Sequence, residues 1–159
     1  TTERDYILSV LAQNNSGVLL RIAGLFSRRG YNIQSIVAAS TKDDAHSQIL
    51  IVVRGDDRII RQVDKQLSKL VEIENVSVLD DREAVVREHL LMKVARTDEN
   101  SEQLTSIAAV FRANILNVTA ENIILELTGS PRTLDSFVEC YRPYHIIKIL
   151  RTGTMAMEL

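Results

Sequence analysis

The sequence predicts an α+β chain built from two tandem βαββαβ units. Three observations carry that expectation. Short β-leaning apolar runs alternate with amphipathic stretches whose apolar residues recur every three or four positions. Their order is strand, helix, two strands, helix, strand, a recurrent supersecondary pattern. The order then occurs a second time. Phe26 precedes Asn32-Ile33 by six positions, and Phe111 precedes Asn117-Val118 by the same six. Arg54-Gly55 and Thr128-Gly129 each lead into a second helix. The expected division is residues 1–79, a linker at 80–86, and residues 87–159.

In the first unit, Tyr6 to Ala12 is an apolar, β-leaning run. Gly17 to Arg29 is helical, with Leu19, Ile22, Ala23 and Phe26 as its expected buried stripe. Gly30 stops that helix, since glycine enters the left-handed conformation cheaply. A strand from Asn32 to Ala39 ends in a polar turn at Asp43-Asp44. Ser47 to Val53 follows, and its unbroken Ile49-Leu50-Ile51-Val52-Val53 argues for burial on both faces. Gly55-Asp56-Asp57 caps the second helix, which turns Ile59, Val63, Leu67 and Leu70 inward. Val76 to Leu79 closes the unit as a strand.

Asp80-Asp81-Arg82-Glu83 reads as a solvated charged break. The second unit opens with a strand from His89 to Ala95. A helix from Ser101 to Arg112 carries Leu104, Ile107, Ala108 and Phe111, with Ser101 as the expected cap. Ile115 to Thr119 and Asn122 to Thr128 form a hairpin. Gly129-Ser130-Pro131 opens the next helix, with Pro131 where a missing N–H costs least. Leu134, Phe137 and Val138 are its inner face, and Ile146 to Leu150 is the final strand.

Composition narrows the function. Hydrophobic residues make up 45% of the 159, enough for a core. The formal charge is −2, from 19 basic and 21 acidic side chains, so no electrostatic footprint for nucleic acid is present. No apolar run approaches the roughly 20 residues of a membrane helix, and no basic-then-apolar leader opens the sequence. A cytoplasmic location is expected, or a plastid in a plant. Cys140 is the one cysteine, which rules out an internal disulfide and any multi-cysteine zinc site. It falls among Leu134 and Phe137 and is expected to be a small buried hydrophobe. His46, His89 and His145 lie in different elements and are expected to be ordinary surface or strand residues.

The richest stretch is Asn14-Asn15-Ser16-Gly17, followed by Val18-Leu19 and later by Asn32-Ile33. The first N–H groups of a helix lack intrahelical partners, and that end carries partial positive charge. A carboxylate therefore binds there readily. Gly17 places no side chain in its path, and the Asn14 and Asn32 amides can meet either an ammonium or a carboxylate. Leu19 or Val18 could line a pocket for an aliphatic group. The stretch holds no nucleophile, acid–base pair or metal ligand set, so it suits sensing a small zwitterion better than transforming one. The same Asn-x-Ser-Gly also fits a plain turn with an N-cap, and both readings stand. The equivalent turn of the second unit, Thr97-Asp98-Glu99-Asn100-Ser101, has no glycine and two acids. If the first turn holds an anion, the second should not. No dinucleotide fingerprint or phosphate-binding P-loop occurs. RNA binding by such a sheet needs aromatics on its inner strands, and Ile49 to Val53 has none.

Asn14-Asn15-Ser16-Gly17-Val18-Leu19, Leu25-Phe26-Ser27-Arg28-Arg29-Gly30-Tyr31-Asn32-Ile33 and Gln66-Leu67-Ser68-Lys69-Leu70 resemble the regulatory small subunits of acetolactate synthase, also called acetohydroxyacid synthase. Glu88 to Val94, Phe111-Arg112, Asn117-Val118-Thr119, Gly129-Ser130-Pro131 and Arg151-Thr152-Gly153 extend the resemblance over nearly the whole chain. It implies an N-terminal ACT domain and a related C-terminal ferredoxin-like domain. It also implies a homodimer through the ACT domains, with valine, or isoleucine or leucine, bound at the interface. Asn14, Gly17, Val18, Leu19, Asn32 and Ile33 match the effector-site segment. The implied partner is the catalytic large subunit of acetolactate synthase, which the small subunit activates and makes sensitive to feedback. Thiamine diphosphate, Mg and FAD are expected only in that catalytic subunit, with no cofactor, metal or catalytic residue in this chain. Asn117 stands where an acid is common in the family, and no Arg-Gly tail follows Met157. Three other readings compete: an amino-acid sensor with a different enzyme client, a small ferredoxin-like enzyme, and a structural assembly module.

Overall fold

A computed structural model describes residues 2–159. It separates into two compact units, one formed by residues up to Val85 together with Gly153–Leu159, the other by Val86–Thr152.

The first unit runs β1 (Arg4–Gln13), α1 (Val18–Arg29), β2 (Asn32–Ser40), β3 (His46–Gly55), α2 (Asp57–Ser68) and β4 (Ile73–Leu79). Its four strands form an antiparallel sheet in the order β2-β3-β1-β4. Tyr6, Leu8, Val10 and Ala12 of β1 alternate inward, as a half-covered strand requires. They meet Ile49, Ile51 and Val53 of β3 and the inner faces of both helices in one apolar cluster. Leu50 and Val52, on the opposite face of β3, are also buried, so the expected burial of that strand on both faces holds.

The α1 stripe is rotated from the expected one. Val18, Ile22, Leu25 and Phe26 are buried, whereas Leu19 is 46% exposed and Ala23 lies on the surface. Gly30 ends the helix at φ 68°, and its N–H and that of Tyr31 return to the last-turn carbonyls. Asp56 caps α2 by accepting the Ile59 N–H at 2.9 Å.

A single 3₁₀ turn, Asp81–Glu83, occupies the charged break. The remaining elements are β5 (Ala84–Ala95), α3 (Ser101–Phe111), β6 (Asn114–Val118), β7 (Asn122–Gly129), α4 (Pro131–Tyr141), β8 (Ile146–Arg151) and β9 (Met155–Glu158). The second sheet is ordered β6-β7-β5-β8, with β9 also paired to β5. Leu90, Met92 and Val94 pack with Leu104, Ala108, Ile123, Leu125, Leu134, Phe137 and Tyr141. Pro131 opens α4 as expected, with Ser130 accepting the Thr133 N–H at 3.1 Å.

Two expectations in this unit are corrected. Cys140 is exposed. The inner face of α4 is Leu134, Phe137, Val138 and Tyr141, which leaves Cys140 just beyond its edge. Tyr141 takes the buried place, donating its hydroxyl to the Leu104 carbonyl at 2.8 Å while burial pushes its pKa up. Ser101 does not cap α3. The N-cap is Asn100, and Ser101 is the first helical residue, its hydroxyl accepting from Arg96 Nε at 3.1 Å.

The last residues return to the first unit. Gly153 has φ 92°, a conformation open chiefly to glycine. A Cβ there would sit 3.0 Å from Ser35 Cβ and 3.2 Å from Val37 Cγ2 of β2. Thr154 donates its N–H to Ser35 Oγ at 3.4 Å, and Leu159 donates to the Glu83 carbonyl at 3.0 Å.

Candidate ligand site

Among the described helices, α1 combines two absences at its start: α3 also has no side-chain cap but has Glu102, and α4 has no first-turn acid but is capped. The N-cap of α1 is Gly17, with no side-chain cap and no acid in the first turn. Asp56 and Ser130 cap α2 and α4. At α3 the Asn100 side-chain oxygen accepts the Thr97 N–H at 2.8 Å, Thr97 Oγ1 accepts the Asn100 N–H at 3.2 Å, and Glu102 stands in the first turn. The side chains around α1 therefore leave its N-terminal partial charge uncompensated. A Cβ added at Gly17 would meet nothing within 4 Å, so the approach is open. Gly17 is itself the N-cap of this turn, and neither Asn14 nor Ser16 adds a side-chain bond to the helix.

Asn14 lies at the same end. Its Nδ2 donates to the Asp44 carbonyl at 2.9 Å, and its Oδ1 accepts from Ser47 Oγ at 3.2 Å. Its backbone N–H donates to the Ala45 carbonyl at 2.8 Å. An amide carries two N–H groups and two lone pairs. One of each is used here, so the exposed side chain keeps one of each for a ligand. Leu19, exposed beside this turn, can supply apolar contact. Val18 cannot, because its side chain is 3% exposed within the core.

Asn32 and Ile33 do not join this group within one chain. They start β2 just after the C-terminal end of α1, and a 12-residue helix is about 18 Å long. The register confirms the separation: Asn32 pairs with Arg54, whereas Gln13 and Ser40 lie beside His46 and Ser47 at the other end of β3. Asn32 is exposed, and its side chain makes no hydrogen bond among the described residues. Ile33 is half-buried against the core. β2 itself is an edge strand, Asn-Ile-Gln-Ser-Ile-Val-Ala-Ala-Ser, with no charge and no proline. Such an edge carries none of the charges or prolines that discourage pairing with another strand, although its register slips between Ile33 and Ser35.

Sequence reasoning missed the supports of Asn14. His46, at the start of β3, lies between two carboxylates: Nδ1 is 2.7 Å from Asp43 Oδ2 and Nε2 is 2.9 Å from Glu74 Oε2. Glu74, then Asp43, raises the imidazole above its ordinary 6.5. Asp43 is held below its usual range by the Ala45 N–H and then by His46. Arg21 of α1 pairs with Glu72, just before β4, and the Glu72 carbonyl accepts the Gln13 N–H at 2.8 Å. The clue lay in the strand order. In a βαββ run, the β2–β3 turn comes to the same end as the exit from β1, which brings residues 41–47 beside Asn14.

Comparison with known proteins follows the same division. Residues 8–75 match the family model of the acetohydroxyacid synthase small subunit-like ACT domain, and residues 87–159 match that of the small subunit of acetolactate synthase. A probable acetolactate synthase small subunit from Archaeoglobus fulgidus is 40% identical over 152 residues, covering 96% of this chain and 95% of that protein. The acetolactate synthase isozyme 3 small subunit of Salmonella typhimurium is 38% identical, covering 96% and 94%. The crystal structure of the acetolactate synthase small subunit from Thermotoga maritima superposes with a TM-score of 0.89 at 35% identity, covering 98% of each chain.

Proposed function

This chain belongs to the family of acetolactate synthase small subunits, and we propose that it binds valine through its ACT domain and relays that occupancy to the catalytic subunit. The single observation that supports the effector site best is the start of α1, uncapped, free of acids and open at Gly17. The valine carboxylate takes the first-turn amides. Asn14 orients the zwitterion and Leu19 meets its aliphatic group.

Asn32 enters from a second copy. If two β2 edges pair antiparallel, the start of one strand lies beside the end of the other. Asn32 of the partner subunit then stands near the Asn14–Gly17 turn, although the two are at opposite ends of one chain. The paired copies form one site across the interface twice over. The catalytic subunit holds thiamine diphosphate, Mg and FAD, and this chain stimulates it. Valine shifts the complex toward its less active state only as far as it binds that state more tightly.

The test mixes two variants. Reconstitute the catalytic subunit with Asn14→Ala chains, with Asn32→Ala chains, and with both. Each variant alone should stimulate activity without valine inhibition. In the mixed dimer one site carries both lesions and the other carries none, so partial inhibition should return. No recovery places Asn14 and Asn32 in separate sites. Valine binding without stimulation of the synthase would identify a sensor with another enzyme client.

A further inference from the structure

Asp43, His46 and Glu74 meet at the end of the first unit that carries Asn14, and the effector site as drawn so far does not use them. Both ring nitrogens of His46 face carboxylate oxygens, at 2.7 Å and 2.9 Å. A neutral imidazole has one N–H and so can donate to only one of them; the imidazolium donates to both. The geometry therefore calls for the charged ring. Asp43 comes from the β2–β3 turn and Glu74 from β4. They are the charged groups that face the ring. Lys42 and Asp44 lie on the same turn, and Arg21 of α1 is engaged by Glu72.

The held turn in turn holds Asn14. Asp43 Oδ1 accepts the Ala45 N–H at 2.8 Å, the Asp43 carbonyl accepts the His46 N–H at 3.0 Å, and Thr41 Oγ1 donates to the same carbonyl at 2.7 Å. The Asp44 and Ala45 carbonyls and the Ser47 hydroxyl then fix Asn14 through three hydrogen bonds. Among the described residues, the Asp44 and Ser47 contacts are what orient its side chain. We propose that protonated His46 is the positioning residue for Asn14: by donating to Asp43 and Glu74 together it fixes the turn that aims the Asn14 amide, so effector affinity follows the charge on this ring. The proposal rests on the assignment of Asn14 to the effector site.

The sign follows from the geometry and the raised pKa. The clamp is complete below the free-histidine value of 6.5 and is lost as pH rises through the higher folded value. Calorimetry of valine binding to the full-length dimer between about pH 6 and about pH 8.5 tests this across the histidine range. Affinity should fall with rising pH by about fivefold to tenfold, the low end of site-to-site couplings. His46→Gln should bind weakly with a flat profile. His46→Lys keeps a charge that can reach both carboxylates and should restore affinity, also with a flat profile. A purely structural role would lower the melting temperature of His46→Gln without changing the slope of affinity against pH. Parallel profiles in all three proteins, or a flat native profile, would overturn the clamp while leaving the valine site intact. Absence of heat at every pH would remove the site itself, and the clamp with it.

Discussion

The two units repeat one order of elements yet place different charge at the start of their first helix. At α3, Thr97 and Asn100 close on each other and Glu102 supplies negative charge in the first turn. That end has no side-chain cap either, but Glu102 answers its partial charge. At α1, Gly17 brings no cap and no acid follows. The Asn14 amide puts one N–H and one lone pair on the β2–β3 turn and none on the helix. Duplication of a fold therefore leaves room for difference: neither first helix is capped by a side chain, but α1 alone of the two has no first-turn carboxylate to oppose an anion.

This contrast can be tested by three substitutions at two positions. The largest effect concerns stability. Phe137 is fully buried and makes edge-to-face contacts with Phe111 and Tyr141, centroids 5.1 Å apart in each case. Phe137→Ala should cost about 3–5 kcal/mol in denaturant unfolding. If sensing belongs to the first unit, valine affinity at temperatures where the variant stays folded should not change. Next is Gly17→Asp. The open space around Gly17 admits the new side chain, and its φ of −94° suits any residue. Folding should survive, but a carboxylate would stand where the ligand's belongs, and valine affinity should drop by about 2–3 kcal/mol, roughly a hundredfold. Native affinity in a folded Gly17→Asp protein would exclude this helix end. The smallest effect is expected for Gly17→Ser, which gives α1 the cap it lacks. Serine gains only a few tenths of a kcal/mol over glycine at such a position. The unit should melt slightly higher while binding valine more weakly, since the hydroxyl competes for the same amides.

Much of the fold was legible in the order of its residues. Gly30, Asp56 and Pro131 each hold the position their backbone chemistry demands, and Ile49 to Val53 is buried on both faces. The α1 stripe was not, because seven of the nine residues from Val18 to Phe26 are apolar and periodicity cannot choose a face among them. Packing chose Val18, Ile22, Leu25 and Phe26, leaving Leu19 and Leu20 at 46% and 77% exposure. Cys140 was misplaced for a related reason: it lies next to Tyr141, and the tyrosine fills the interior while finding a carbonyl for its hydroxyl. For the proposed site, the glycine and asparagines are suggested by type and spacing alone. The distance between Asn32 and Asn14 is not, since it depends on strand direction. His46 gave no local signal, because both of its carboxylates are assembled by tertiary structure.

Gly153 carries a consequence for anyone who would dissect this molecule. The repeat invites a cut after Val85, yet the natural first unit includes seven residues from the far end of the polypeptide. A fragment truncated there would lose Gly153 and Thr154 from their seat on Ser35 and Val37, baring the flank of the edge strand β2. The two halves can be told apart in three dimensions but cannot be separated by a single scission of the backbone.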